Sequence, residues 1–268
     1  MGRIPRSFVK GEIYHVIQRG NNREHIFQHD ADKRALINIT RNVKQKISFE
    51  LLYYVLMDNH YHFVIRMTKD TVSDVMQRIN WSYSTFFNKK YDRCGTIFGQ
   101  RFKAYHVKNN RYLRALIKYI AMNPVRSNLT RKPEQYQWSA HRDFVLNCKS
   151  IAHKEALLNL FDKNKNRAMD AYKYLVDQTP QEMHRDDMRD LMFKDRIKSL
   201  KSHFTTMISY ANVSYFSNNK AKDKKGYELI AEFVRHAFQV GFTTNELAQA
   251  LNTSKNKIYF LKNVELTF

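Results

Sequence analysis

Two histidines separated by one residue, His60 and His62, are the first candidates for chemistry in this chain. Side chains two positions apart in a strand point to the same face, so both imidazoles could bind one divalent ion. The alternative is a pair of partly buried histidines that only hydrogen-bond within the fold, because histidine is intermediate in burial. The pair alone does not decide between these interpretations.

Tyr119 and Asn123 form a second pair, four residues apart in a segment with helical spacing, and therefore share one face of the helix. A tyrosine hydroxyl can attack phosphorus and hold a covalent intermediate, and an asparagine carbonyl can complete a metal site. Two alternatives remain, since the chain has 16 tyrosines and an asparagine before proline often ends a helix. Both residues border a predicted buried stripe of Leu113, Leu116, Ile117 and Ile120.

The elements that must position these residues alternate between strands and helices. Apolar alternation predicts strands over 11–19, 49–57, 60–67 and 98–107. Helical spacing predicts helices that begin at 30, 72 and 110, the last ending at 122 before Asn123-Pro124. The segment 49–57 is apolar on both faces, which favours a central position in the sheet. This order predicts an α+β layer in which helices cover a sheet.

After residue 144 the pattern changes. Residues 151–203 are predicted to be mostly helical, and the polar, basic stretch 217–226 is predicted to be a linker. An amphipathic helix is expected over 227–240, followed by two short helices within 243–263. These resemble a helix-turn-helix, in which Thr244 caps the first helix, Ser254 caps the second, and Lys255 and Lys257 could contact DNA. The alternative is a helical hairpin that only packs on the rest of the chain.

The charge balance points to a polyanionic partner. The chain has 46 Lys and Arg against 25 Asp and Glu, a net charge of +21, and a pI near 9.9. Nucleic acid is the usual partner of such an excess, and a membrane surface is less suitable because the charge is spread along the chain. Two cysteines exclude a disulfide framework, and the longest apolar run, residues 51–57, is too short to span a membrane. Because the first ten residues carry no apolar signal segment, a cytoplasmic protein is expected.

Several sequence motifs are more informative in combination than each is alone. The chain contains MDNHYHFVIRM, GQRFKA and RYLRALIKYIAMNPVRSNL, preceded by GEIYHVIQRGNNREHIF and followed by WSAHRDF. Over residues 8–145 these strings resemble the REP-associated tyrosine transposases, which belong to the single-tyrosine branch of the HUH endonuclease superfamily. The joint spacing of H-x-H and Y-x-x-x-N-P-V-R is more specific than either motif. The resemblance implies a ferredoxin-like antiparallel sheet with helices, the HUH endonuclease fold, followed by an all-helical C-terminal extension.

The resemblance also implies roles for individual residues. His60, His62 and Asn123 match the ligands of a divalent metal, Mg²⁺ or Mn²⁺, and Tyr119 matches the nucleophile. The implied reaction nicks and rejoins single-stranded DNA beside a hairpin through a 5′-phosphotyrosine. All four motif positions are intact.

Basic residues near these motifs are the candidate DNA contacts. Arg19, Arg23, Arg101 and Lys103 lie in stretches that match the family. A second group shares one predicted helical face and could bind phosphates or simply form a solvated surface; it consists of Arg111, Arg114 and Lys118.

Three regions are expected: a catalytic domain over 1–145, a helical extension over 146–216 and a DNA-binding segment over 227–268. The expected partner is DNA rather than a membrane, and the sequence is compatible with either a monomer or a homodimer. The rival function is a non-catalytic nucleic-acid-binding regulator. The quartet His60, His62, Tyr119 and Asn123 favours the enzyme, because a pure binder does not need these residues in register.

Overall fold

The computed structural model describes residues 10–177, 197, 200–202, 204–205, 224–239 and 242–263. Residues 10–177 belong to one compact unit, and the described residues from 197 onward belong to a second. The expectations for 178–196 and for 217–223 lie outside the described residues.

The first unit is built on a four-stranded antiparallel sheet. Its strands are β1 (Ile13–Arg19), β2 (Phe49–Met57), β3 (His60–Met67) and β4 (Lys103–Val107), in the spatial order β2-β3-β1-β4. Helix α1 (Asp30–Lys46) connects β1 to β2, and α2 (Val72–Lys90) connects β3 to β4. This β-α-β-β-α-β order with antiparallel neighbours confirms the ferredoxin-like prediction.

Helices cover both faces of the sheet. Helix α2 lies on the face that carries Tyr61, whose hydroxyl donates to Oδ1 of Asn80 at 2.5 Å, and α2 also packs against α1. Helix α3 (Asn110–Ala121) packs against β2 and β4 on the opposite face, where its stripe Leu113, Leu116, Ile117 and Ile120 is buried. The remaining helices of this unit are α4 (Asn123–Arg126), α5 (Ala140–Val145), α6 (Lys154–Leu158) and α7 (Lys165–Asp177).

Strand β2 lies at an edge of the sheet, so the prediction of a central strand was wrong. Its side chains are nevertheless buried on both faces because later chain segments cover the strand. The amide of Leu56 donates to the carbonyl of Trp138 at 2.9 Å, and Tyr136 Oη donates to the carbonyl of Leu56 at 2.6 Å. Farther along, the amide of His153 donates to the carbonyl of Leu51 at 2.7 Å. Burial on both faces of β2 therefore reflects the chain segments that cover it. It does not show that the strand is central in the sheet.

Several predicted boundaries also differ. Strand β1 begins at Ile13 rather than at residue 11. Strand β4 begins at Lys103 rather than at residue 98, because the chain at Phe98 makes only an isolated bridge with Gly20 and then turns. Helix α3 ends at Ala121, but the chain continues directly into α4, with Pro124 in its first turn. Proline is tolerated there because the first residues of a helix have no intrahelical acceptor for their N–H groups.

The tight turn between β2 and β3 is anchored from outside the hairpin. The carbonyl of Asp58 accepts hydrogen bonds from the amides of Ile26 (2.9 Å) and Phe27 (3.0 Å). Its carboxylate pairs with Nζ of Lys33 on α1 at 2.7 Å. The segment before α1 thus fixes the turn that immediately precedes His60.

The described residues of the second unit form helices joined by short non-helical connections, which confirms the predicted all-helical C-terminal extension there. It contains α8 (Lys224–Gln239), α9 (Thr244–Ala250) and α10 (Lys255–Asn263). Residues 224–226 belong to α8, so the predicted linker was wrong over these three positions. The apolar core of this unit includes Val234, Leu247, Ile258 and Leu261. Across the described ranges of both units, no helix combines the length and apolar character that a membrane span requires.

Candidate active site

His60 and His62 lie at the start of β3, immediately after the anchored turn. In the sheet register His60 is opposite Arg19 and His62 is opposite Ile17, which confirms that the two histidines share one face. Both side chains are buried, and their ring centroids are 5.1 Å apart with the rings nearly perpendicular. The strand therefore presents two imidazoles side by side, as the spacing predicted.

Each histidine contacts a polar side chain. Nδ1 of His60 is 2.6 Å from Oδ1 of Asn59, the last residue of the turn. Nδ1 of His62 is 2.8 Å from Nε2 of His15 on β1, and these two rings stack with centroids 5.1 Å apart. Complete burial lowers the pKa of His15 to about 3, so this ring is neutral near pH 7. Neither Asn59 nor His15 was identified as a site residue from the sequence.

Tyr119 reaches the histidines from α3. The helix begins where the side chain of Asn109 accepts a hydrogen bond from the amide of Tyr112 at 2.8 Å, and its buried stripe fixes its rotation against the sheet. Tyr119 is half-buried beside that stripe. Its ring meets the ring of His62 edge-on, with centroids 5.8 Å apart. Within one chain, the fold thus brings together two motifs that are more than fifty residues apart in the sequence.

Asn123 and Arg126 complete this neighbourhood. Asn123 is buried at the start of α4, one helical turn beyond Tyr119. The guanidinium of Arg126 lies over the Tyr119 ring, 5.3 Å from its centroid. Sequence reasoning quoted Arg126 within the NPVR string but gave it no role. The sequence spacing could have indicated that Arg126 lies near Tyr119. Asn123 follows Tyr119 by four residues and Arg126 follows Asn123 by three, so the three residues share one helical face across Pro124.

The donor set limits which metal the site could hold. Within the described ranges, no group of three or more His, Cys, Asp or Glu residues is arranged to hold an ion. His60 and His62 supply two imidazole nitrogens, so a third protein ligand would be of another type, such as the amide oxygen of the buried Asn123. A mixed nitrogen and oxygen set suits Mn²⁺ and is compatible with Mg²⁺. The residues present therefore fit the expected divalent ion.

Loops that carry basic residues gather at the His60 end of the sheet. The amide of Gly20 donates to the carbonyl of Asn59 at 2.9 Å, and the amide of Asn21 donates to the carbonyl of Ile97 at 2.9 Å. Gly20 is required by this packing, since an added Cβ would lie 2.3 Å from the backbone oxygen of Glu24. The four predicted DNA contacts in and beside these loops are Arg19, Arg23, Arg101 and Lys103.

These four basic residues differ in exposure. Arg19 is half-buried opposite His60, and Lys103 is exposed opposite Ile17, on the histidine face of the sheet. Arg23 and Arg101 are exposed in the loops. Arg19 and Lys103 therefore lie on the histidine face of the sheet, whereas Arg23 and Arg101 lie in the loops at its end.

The second predicted basic group, on α3, is less uniform. Arg111 is exposed and Lys118 is half-buried. The guanidinium of Arg114 lies 5.0 Å from the centroid of the Phe161 ring and is 3.4 Å from the carbonyl oxygen of that residue. Part of the binding capacity of Arg114 is thus used within the fold.

The predicted helix-turn-helix residues lie on α9 and α10. Thr243, not Thr244, is the N-cap of α9, because its hydroxyl accepts from the amide of Glu246. The hydroxyl of Ser254 accepts from the amide of Lys257 at 3.2 Å, as expected for a cap of α10. Asn252 in the intervening turn has φ of 49°, a left-handed conformation that asparagine tolerates. Lys255 is exposed and Lys257 is half-buried.

Solved structures that resemble this chain include two transposases. A REP-associated tyrosine transposase bound to a REP hairpin is 21% identical, with a TM-score of 0.46, and the match covers 57% of this chain and 91% of that one. A candidate transposase from Deinococcus radiodurans R1 is 16% identical, with a TM-score of 0.33, and covers 46% of this chain and 97% of that one. Similarity at this level does not transfer a function. No curated protein sequence is significantly similar to this chain.

A family match covers the part of the chain that carries the site. Residues 8–123 match the family described as "Transposase IS200 like". The matched segment contains the four strands, α1 to α3 and the pair His60 and His62, and it ends at Asn123, just after Tyr119. Residues 8–123 are therefore similar to the IS200-like transposase family, in agreement with the sequence resemblance.

Proposed function

We propose that this protein is a transposase, an endonuclease and strand transferase that uses Tyr119 as its nucleophile. The observation that carries the proposal is the edge-on contact of the Tyr119 and His62 rings, 5.8 Å between centroids within one chain. A half-buried tyrosine beside two adjacent imidazoles, with a guanidinium over its ring, is suited to attack on a phosphodiester.

The proposed chemistry is a transesterification. The Tyr119 oxygen loses its proton and forms a bond to phosphorus, and the bond from phosphorus to the 3′-oxygen breaks. The departing 3′-oxygen takes up a proton, and the 5′-phosphate stays on the tyrosine. Attack by the 3′-hydroxyl of another strand reverses these steps, so the ester is conserved and no ATP is needed.

Binding residues divide the work around this step. His60, His62 and Asn123 would hold Mg²⁺ or Mn²⁺, which when bound would supply positive charge to the oxygens of the scissile phosphate. Arg126, placed over the Tyr119 ring, would stabilise the negative charge that develops there. Arg19 and Lys103, on the histidine face, would bind flanking phosphates.

We infer from the sequence resemblance that the substrate is single-stranded DNA beside a hairpin. Arg23 and Arg101 are exposed in loops that meet at the His60 end of the sheet, where they could follow a strand that enters the site. Arg111 and Lys118 on α3 would extend this basic border, with Arg114 contributing less because of its contact with Phe161. Phosphate contacts of this kind make affinity depend on salt.

The C-terminal residues would supply a second DNA contact. Lys255 and Lys257 begin α10, the helix that follows the turn in a helix-turn-helix arrangement. A concavity beside that turn is lined by amide and hydroxyl side chains, which suit a phosphate or a base edge; its lining is Asn245, Ala248, Gln249, Asn252, Thr253, Ser254 and Lys255. We therefore assign catalysis to the domain 1–145, an extension to 146–216 and DNA recognition to 227–268.

The decisive experiment is covalent trapping. The full chain is incubated with a labelled library of single-stranded hairpin oligonucleotides and Mn²⁺, with and without EDTA, and separated on a denaturing gel. We expect a metal-dependent protein–DNA band that mass spectrometry maps to the Tyr119 peptide. Tyr119→Phe should abolish the band and keep DNA affinity within a few-fold, whereas Tyr174→Phe, at an exposed tyrosine on α7, should leave it unchanged. An undiminished band from Tyr119→Phe would move the nucleophile elsewhere.

A regulator without catalysis would give a different result. It would bind the library in a salt-sensitive manner and form no covalent band under any metal condition. The role of the C-terminal unit is tested separately, because Lys255→Ala should lower the salt slope of DNA binding by about 0.7–0.9 per lost phosphate contact. Lys89→Ala, at an exposed position on α2, serves as the control. An unchanged slope for Lys255→Ala would favour a helical hairpin that only packs.

A further inference from the structure

His15 on β1 contacts the predicted metal ligand His62 across the sheet. The two nitrogens are 2.8 Å apart, the rings are stacked with an interplanar angle of 14°, and both side chains are almost wholly buried. The two residues are diagonal neighbours on one face, because His62 is directly opposite Ile17 and His15 is directly opposite Val64. Strand register therefore holds this pair in place.

The hydrogen bond restricts the chemistry of His62. An imidazole that binds a metal presents a lone pair from one nitrogen and, when neutral, carries its hydrogen on the other. Nδ1 of His62 is engaged with His15, so metal binding by His62 must use Nε2. In that state Nδ1–H of His62 is the donor and Nε2 of His15 is the acceptor. The opposite arrangement would place the hydrogen of His62 on Nε2 and block metal binding.

A purely structural role would explain His15 poorly. Its Nδ1 is buried and has no hydrogen-bond partner among the residues that the structure describes. A buried polar atom without a partner is unfavourable, so an apolar side chain would serve packing better at this position. The feature that an apolar side chain would lack is the nitrogen that faces His62.

We propose that His15 is a positioning residue for the metal site, which accepts the Nδ1–H of His62 and thereby directs the Nε2 lone pair toward the ion. The proposal rests on the metal site assigned above to His60, His62 and Asn123. Metal-binding histidines usually donate to a carboxylate, a carbonyl or water. Here an imidazole from the neighbouring strand takes that place.

Metal affinity tests the proposal without any catalytic step. Calorimetric titration of the full chain with Mn²⁺ should show binding that His15→Phe weakens by about 10–100-fold. His15→Gln, whose side-chain oxygen can accept from Nδ1–H, should restore most of the affinity. The matched control is His141→Phe, which removes another buried histidine, one that bonds to Tyr172, and should bind Mn²⁺ like the wild type. Unaltered affinity in His15→Phe would overturn the proposal.

A spectroscopic signature separates positioning from packing. In protein labelled with ¹⁵N-histidine and loaded with diamagnetic Mg²⁺, Nδ1 of His62 should carry the hydrogen and Nε2 of His15 should have the shift of an acceptor nitrogen. A hydrogen on Nε2 of His62 in the loaded protein would refute the assignment. If the wild type bound neither Mn²⁺ nor Mg²⁺, the metal site itself would be wrong, and this role of His15 with it. If the wild type bound Mn²⁺ but did not cleave DNA, only the proposed reaction would be contradicted.

Discussion

Replacing Arg126 by glutamine should slow formation of the covalent DNA adduct much more than it lowers stability. The guanidinium lies over the Tyr119 ring, 5.3 Å from its centroid, and the arginine is otherwise exposed. An exposed cation–π contact contributes about 0.5–1 kcal/mol to folding, so losing this contact should lower the free energy of unfolding by about that amount. The effect on the reaction is larger because negative charge develops near this ring as the phosphodiester is attacked.

The magnitude follows from the distance. The 5.3 Å between the guanidinium and the ring centroid sets the scale of its distance from the charge that develops near the ring. Two unit charges about 5 Å apart attract by about 3 kcal/mol at an effective dielectric constant of about 20, and by about 0.8 kcal/mol at the value for bulk water. Since about 1.36 kcal/mol is a factor of ten, loss of the charge should slow the step by about 4-fold to 200-fold. The upper end applies if bound DNA excludes water from the ring.

Single-turnover formation of the adduct, with an oligonucleotide that the wild type cleaves, measures this step. Arg126→Lys should retain part of the rate because it retains the charge. Arg34→Gln is the matched control and should keep the wild-type rate, since that guanidinium also lies over an aromatic ring, 5.9 Å from the centroid of Trp138, but not over Tyr119. A rate for Arg126→Gln equal to that of the wild type would refute the electrostatic argument.

Three further predictions follow from residues around the site and in its support. Gly20→Ala should destabilise the protein by about 1–3 kcal/mol in urea denaturation, because its Cβ would lie 2.3 Å from the Glu24 carbonyl oxygen; wild-type stability would disprove that clash. Burial lowers the pKa of His141 from 6.5 to about 4, so wild-type stability should rise with pH between these values as the unfolded chain loses its proton. His141→Gln should show a smaller rise over the same range, and an equal rise would contradict this origin. His60→Ala should form no adduct with Mn²⁺, just as the wild type should form none in EDTA, and an active variant in the presence of chelator would exclude the metal mechanism.

Local patterns predicted the elements that carry the site. The bounds of β2, β3 and α2 agree with the sequence prediction to the residue, because each is a long periodic segment ended by turn residues or by a cap. The two-residue period of a strand was enough to predict that His60 and His62 share one face. The spacing of a helix was enough to predict that Tyr119 and Asn123 share one face.

Contacts between distant segments were not predictable in the same way. The two-residue period of a strand puts His15 on the same face as Ile13 and Ile17. Only the strand register, however, shows that His62 is a neighbour of His15. The role of Arg126 depended on the chain continuing into a new helical turn at Pro124. The edge position of β2 could not be predicted from its local sequence, because the residues that cover the strand lie far along the chain.

The chain segments that cover β2 matter for any attempt to produce residues 8–123 on their own. Residues 136–153 contribute the hydrogen bonds that shield β2, whereas the family match ends at Asn123. A fragment truncated there would expose the backbone of a nine-residue, largely apolar edge strand. Exposed edges of this kind recruit strands from other molecules, so the fragment should aggregate although it retains His60, His62, Tyr119 and Asn123. We therefore expect residues 136–153 to limit self-association, and a shortened form of this chain would have to keep them.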